Sequence, residues 1–334
     1  MSQKSNKNVL IRVDGDAKIG LGHLVRCIAL AHMLKTDFDI YFYCKEIPEM
    51  LLVEIETSGF HCKKIKSENE FIGRLTKNTI VVLDGYRFDI GYQRLVKASG
   101  ALLVIIDDLH NKEYLADLII NHTPGITPKD YLSKSFTEYA LGLKYALLRP
   151  AFLKQTKETR KIDKLENVFI CFGGSDPKNL TEKSLKVMLK YPFFKKIIVI
   201  TGLVFKKSIS LISLIKSDGR IYYYNSLNEH QMVKLMLTAD FAIAPSSTIL
   251  LELFAVGVPV LTGYYTENQM EASRFVGKIG AALDLGNLEF DLDEKIFVHL
   301  NQISNTGLNN MVTIQKKYMI HSGTNILSIF HKIL

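Results

Sequence analysis

The chain has 334 residues, 42 of them basic and 34 acidic for a net charge of +8, with 47% hydrophobic and 23% charged residues. That length suits two domains, each able to bury its own core, and that composition excludes a disordered, collagen-like or coiled-coil chain. No run of about 18 apolar residues occurs, the polar start lacks a signal-peptide centre, and Cys27, Cys44, Cys62 and Cys171 lie far from any metal spacing, so a cytoplasmic protein with reduced core thiols is expected.

Apolar runs at 9–13, 38–43, 79–83 and 102–106 alternate with longer amphipathic segments at 22–35, 48–57 and 89–99. Such alternation predicts a parallel sheet covered by helices on both faces, with ligands bound beyond the carboxyl ends of its strands. The first of those ends runs into Ile19, Gly20, Leu21, Gly22, His23, Leu24, Val25 and Arg26. Gly20 and Gly22 allow a tight turn and close approach of backbone to ligand, and the amides of a helix start favour an anion. Leu24, Cys27, Ile28, Ala31 and Leu34 recur at helical spacing and predict the face packed on the sheet, which leaves His23 and Arg26 off that face and toward a cleft. A histidine in that place is a candidate general base, the alternative being a helix cap or a surface residue.

Polar residues stand at the other strand ends too: Asp14, then Asp84 and Tyr86, then Asp107 and Asp108. A lone aspartate there caps a helix or closes a turn, but several converging on the edge where His23 emerges point to a site. Tyr86 offers a phenol to a sugar or a water. Asp107 and Asp108 form the carboxylate pair that suits magnesium best. A further strand at 116–121 and the segment 142–150 complete a first domain, 1–152; the charged stretch 153–165 has no apolar periodicity and reads as a linker to a second domain, 166–334.

The second half repeats the pattern. A strand at 167–171 enters Phe172, Gly173, Gly174, Ser175 and Asp176, with a helix from about residue 179, and more strands are predicted at 196–201, 220–224, 241–244 and 258–261. Ser246, Ser247 and Thr248 are expected to supply hydroxyl caps to a helix over 249–256 that Gly257 and Pro259 end. Glu252 in that apolar helix needs a partner, and a carboxylate can accept from both hydroxyls of a ribose; the alternative is an exposed helix glutamate.

Two α/β halves with facing glycine turns resemble the sugar-nucleotide enzymes of the GT-B fold, in which two Rossmann-like domains face each other across a cleft. More closely, the ordered set Arg12-Val13-Asp14, Ile19 to His23 with Arg26, Asp84-Gly85-Tyr86, Asp107-Asp108, Tyr145 to Arg149, Phe172 to Asp176 with Asn179, Ser246-Ser247 with Glu252, and Glu267-Asn268-Gln269 resembles the hydrolase family of pseudaminic acid biosynthesis, which acts on UDP-2,4-diacetamido-2,4,6-trideoxy-β-L-altropyranose. The set spans residues 8 to about 285; the chain differs from the family at Asp16-Ala17-Lys18 and in its tail.

The resemblance implies an inverting hydrolase that uses no metal or cofactor. His23 activates a water for attack on the anomeric carbon, and Tyr86 and Asp14 place sugar and water. Arg12, Gly20, Gly22, Arg26 and Asp84 contact the substrate. Gly173, Gly174, Ser175, Ser246, Ser247 and Glu252 hold pyrophosphate and uridine, and Asn268 or Gln269 contacts phosphate or sugar. One base suffices because UDP leaves as a stabilised anion, whereas a glycosidase needs two carboxylates to expel an alcohol. The other readings are a glycosyltransferase of the same build and a non-catalytic sugar-nucleotide sensor. A membrane-facing transferase calls for a basic amphipathic helix or apolar hairpin in the first domain, and the sequence has neither. Lysines are scattered apart from short pairs such as Lys63-Lys64 and Lys206-Lys207, so a UDP-sugar, not a nucleic acid or membrane, is the expected partner.

Overall fold

A computed structural model describes residues 7–15, 21–202 and 204–334, so Gly20 and the segment 16–18 lie outside the described residues. The chain divides into two compact units, one of Ala151–Ile320 and one of the residues up to Pro150 together with His321–Leu334.

The first unit alternates β1 (Asn8–Val13), α1 (Gly22–Leu34), β2 (Asp39–Cys44), α2 (Glu49–Thr57), β3 (His61–Lys64), α3 (Glu68–Ile72), β4 (Thr79–Asp84), α4 (Ile90–Ala98) and β5 (Leu102–Ile106). It continues with β6 (Glu113–Tyr114), β7 (Leu118–Asn121), β8 (Leu132–Ser133) and β9 (Glu138–Leu141). Seven strands form one sheet in the order β3-β2-β1-β4-β5-β7-β9, all pairs parallel, while β6 and β8 pair separately. The central strands are runs of Val, Ile and Leu because both faces are covered. Strand order reverses between β1 and β4, and that reversal opens a crevice beyond their carboxyl ends. Asp14 and Asp84 sit at those two ends. The sequence reading missed β3 and β9: His61-Cys62-Lys63-Lys64 is a polar edge strand, and β9 begins on Glu138, so neither carries the apolar run of a central strand.

The second unit repeats the plan with α5 (Pro150–Gln155) at its start, then β10 (Asn167–Cys171), α6 (Leu180–Leu189), β11 (Lys196–Thr201), α7 (Ile209–Ser217), β12 (Ile221–Asn225) and α8 (Glu229–Thr238). There follow β13 (Phe241–Pro245), α9 (Thr248–Val256), β14 (Val260–Tyr264), α10 (Glu267–Lys278), β15 (Leu283–Asn287), α11 (Leu292–Gln302) and α12 (Asn305–Met319). Its six parallel strands run β12-β11-β10-β13-β14-β15, so order reverses between β10 and β13. The glycine turn after β10 and the serines after β13 therefore flank one crevice.

Two boundaries differ from expectation. The stretch 153–165 is no free linker: Ile162 is buried against Leu308 and Val312, and Arg160 donates to the carbonyl of Met236 at 2.9 Å. The tail also leaves the second unit. The last helix, α13 (Ser322–Lys332), packs on the first unit, where Phe330 meets Phe38 at 6.1 Å between ring centroids and the His331 Nε2 lies 2.7 Å from Asp37. Its apolar face of Ile326, Ile329 and Phe330 adds cover to α1, which is consequently buried nearly all round and not along one stripe. Among the described residues, no helix is long and apolar enough to cross a membrane.

Candidate active site

His23 lies in the first turn of α1, and although off the expected packing stripe it is buried, its Nδ1 2.6 Å from Asp84 Oδ1. Asp84 ends β4 and accepts from Arg26 as well, Nε to Oδ2 and Nη2 to Oδ1, both at 2.6 Å. Burial alone pushes the Asp84 carboxyl up, but the adjoining Arg26 guanidinium more than offsets this and holds it at about 2. Asp84 Oδ1 and, at 2.9 Å, Arg26 Nη2 both lie within reach of Nδ1; in the tautomer with its proton on Nδ1 facing the carboxylate, Nε2 carries the free lone pair. Tyr86 completes the group: its ring meets the imidazole edge-on at 5.0 Å, its hydroxyl donates to Asp108 at 3.3 Å, and more than half of it is exposed. Burial and then the Asp108 charge push the phenol up to about 12, so at neutral pH it is a donor.

Two expected contacts are instead internal anchors. Arg12 is fully buried, and its guanidinium donates to Asp14, to Glu68 and to the carbonyls of Val13 and Tyr43, which uses all five donors. Asp14 accepts from Arg12, from the amides of Lys45 and Glu46 at 2.6 and 3.1 Å, and pairs with Arg87. This network ties the carboxyl end of β1 to that of β2, and its members are not free to place sugar or water. Glu68 went unnoticed in the sequence because it belongs to a polar stretch with no motif around it, and Arg87 because it directly follows Asp84-Gly85-Tyr86 without belonging to that motif. Gly22 begins α1 with no left-handed backbone, and among the described residues a Cβ there meets nothing within 4 Å.

Asp107 and Asp108 do not act as a pair. Asp107 turns inward to the hydroxyls of Tyr114 and Tyr131 at 2.7 and 3.1 Å and to the His110 amide at 2.7 Å, whereas Asp108 receives Arg26 Nη1 at 3.0 Å. One neighbour was overlooked: His122, the first residue past β7, is buried within reach of the Arg26, Asp108 and Asp84 charges. The polar-strand-end rule that selects Asp84 selects it too.

Burial, then Arg26, push His122 down to about 4, and burial with Lys35 does the same to His32. Both values lie below the unfolded 6.5, so between about 4 and 6.5 the unfolded chain binds more protons and stability falls as pH falls through that window. The melting temperature should therefore drop between about pH 7 and about pH 5, and His122→Gln should flatten the drop; a midpoint independent of pH contradicts these burials.

In the second unit Gly173 adopts φ +81°, a left-handed conformation that calls for glycine, and Gly174 and Ser175 are exposed at the turn. Gly202 went unnoticed: a Cβ there falls 2.4 Å from the Gly174 Cα, so only glycine lets the β11 loop support this turn. Asp176 accepts from the amides of Leu180 and Thr181 at the start of α6. After β13 the expected serine cap is not made: Ser247 is the N-cap of α9 but makes no side-chain cap bond, and Ser246 is held by the Thr262 hydroxyl at 2.9 Å. Glu252 is buried in α9, where its charge is felt by Cys171 at the end of β10. Asn268 is exposed in the first turn of α10, but Gln269 is buried and accepts from the Tyr265 amide at 3.2 Å, which makes Gln269 a brace.

No family model matches the chain. It is 27% identical over 276 residues, 81% of this chain and 97% of the relative, to the UDP-2,4-diacetamido-2,4,6-trideoxy-β-L-altropyranose hydrolase of Campylobacter jejuni. It is 28% identical to the spore coat polysaccharide biosynthesis protein SpsG of Bacillus subtilis, covering 89% of this chain and 88% of that one. An uncharacterized protein of Methanocaldococcus jannaschii, MJ1062, is 28% identical over 79% of this chain, which spans only 57% of that relative's length. Among solved structures, MurG of Acinetobacter baumannii superposes with a TM-score of 0.65 over 98% of this chain and 99% of its own, at 12% identity, and a UDP-N-acetylglucosamine 2-epimerase with 0.63 over 99% and 97%, also at 12%. By sequence the chain resembles the Campylobacter hydrolase along most of its length, and by fold it is a two-domain α/β protein of the GT-B type.

Proposed function

We propose that the protein hydrolyses UDP-2,4-diacetamido-2,4,6-trideoxy-β-L-altropyranose to UDP and the free sugar, with His23 as general base. The observation that carries this reading is the His23–Asp84 contact of 2.6 Å at the β1/β4 reversal, in a chain similar to a hydrolase of that name. Asp84 fixes the imidazole, Arg26 fixes Asp84, and Nε2 takes a proton from the water that attacks the anomeric carbon from the face opposite UDP. The Tyr86 phenol, its proton directed at Asp108, accepts from a sugar hydroxyl or a water beside it. UDP is bound by the second unit, its phosphates on the amides of Gly174 and Ser175 and at the start of α9, its ribose on Glu252, with Asn268 reaching phosphate or sugar. Backbone amides and basic side chains supply the charge that opposes UDP, so no ion is needed.

Incubation with a panel of UDP-sugars, read as free UDP, tests the substrate. Release from the diacetamido altropyranose without added acceptor is expected; release only when an acceptor sugar is present makes the protein a transferase. Activity should persist in excess EDTA. A loss that magnesium or manganese restores makes Asp108 a ligand and overturns the metal-free part.

A further inference from the structure

Cys44 ends β2, and Cys62 lies in β3, the outermost strand of the first sheet. Cys62 stands opposite Phe42 in the parallel register, so Cys62, Phe42 and Cys44 share one face of the sheet. The two sulfurs are 4.0 Å apart, and nothing in the site described above uses them. We propose that Cys44 and Cys62 are a peroxide-sensitive modification site that closes a reversible disulfide.

Exposure orders the steps. Cys44 is buried, whereas Cys62 is partly open to solvent on the edge strand. The contact between the thiols draws Cys62 down against burial and the Glu56 charge, and the same contact together with burial pushes Cys44 up. The open sulfur is thus the one a peroxide meets first, and the buried one is the resolving thiol. Cys62 attacks a peroxide oxygen, the O–O bond breaks, and hydroxide leaves with a proton as water, which gives a sulfenic acid on Cys62. Cys44 then attacks that sulfur: the S–S bond forms, the S–O bond breaks, and the departing hydroxide takes the Cys44 proton as a second water. Two thiols are oxidised and one peroxide is reduced.

A disulfide needs about 2.05 Å between sulfurs, so the pair must close by about 2 Å. Strand β3 has a neighbour on one side only and is the part that can move. Cys44 also has a link to the site. The next two residues, Lys45 and Glu46, grip Asp14 through their amides, and the Glu46 carbonyl accepts from the Gly15 amide at 3.0 Å. Whatever share of the closure β3 does not take up falls on Cys44 and is passed to this clamp on Asp14 and Gly15. The expected effect on turnover rests on the hydrolase reading; the disulfide itself does not.

The test treats the reduced full chain with hydrogen peroxide and reads intact mass and alkylated peptides. A loss of about 2 Da with Cys44 and Cys62 in one linked species, reversed by dithiothreitol, is expected. Cys62→Ser should abolish the link, and Cys44→Ser should instead leave a Cys62 sulfenic acid that dimedone traps. UDP release should fall several-fold in the linked protein and recover on reduction. Direct passage of Cys62 to sulfinic acid with no linked peptide, or a link between other cysteines, overturns the proposal even if the protein turns over no UDP-sugar. A linked protein with unchanged turnover overturns the coupling to Asp14.

Discussion

His23→Asn should lower the rate of UDP release by about 10²- to 10⁴-fold while UDP binds as before, the range expected when a positioned general base is lost. The side chain is close in size to imidazole and can still donate to Asp84, so the buried Asp84–Arg26 pair stays satisfied and folding is preserved. What disappears is Nε2, the acceptor for the water's proton. With UDP on the second unit, as proposed, its affinity is expected to be independent of the base. A wild-type rate in this variant removes His23 from the chemistry.

Asp84→Asn is expected to cost a comparable factor by a different route. The carboxylate serves both Nδ1 of His23 and two nitrogens of Arg26; an amide has one oxygen and cannot accept from all three. If its NH2 group faces the imidazole, His23 carries its proton on Nε2 and no longer accepts one from water, the wrong tautomer for a base. Arg26, buried beside Asp108, loses half of its charge compensation, so a lowered melting temperature should accompany the loss. A structural role alone moves stability without a specific effect on turnover, and the double variant separates the two. Residues that act as one unit are not additive, so His23→Asn with Asp84→Asn should be scarcely slower than His23→Asn alone. Multiplied losses in the double variant contradict the dyad.

Much of this arrangement was legible in the sequence because parallel strands announce themselves. The strands β1, β4, β5 and β10 are built on runs of apolar residues, and the residues that break the pattern at their ends include Asp84, Tyr86, Gly173 and Ser175. The helical stripe on α1 singled out His23 and Arg26 as residues with another task. What the sequence hid depends on contacts between distant segments. Arg12 and Asp14 stand at a strand end as ligands would, and only the approach of Glu68, Arg87 and the Lys45–Glu46 amides shows that their bonding capacity is spent internally. Gln269 differs from Asn268 only in the direction its side chain takes from α10. The return of α13 to the first unit had no local signal, since its apolar face fits either unit equally well until packing on α1 decides.

If His23 activates the water, the anomeric carbon is the atom attacked and UDP departs intact. Turnover of UDP-2,4-diacetamido-2,4,6-trideoxy-β-L-altropyranose in ¹⁸O-labelled water, with both products analysed by mass spectrometry, tests it most directly. The label should enter the free sugar and be absent from UDP, and the first-formed sugar should have the inverted anomeric configuration. Label in the phosphate of UDP means attack at phosphorus, and retained configuration means a covalent intermediate; either result contradicts a single displacement by water at the sugar.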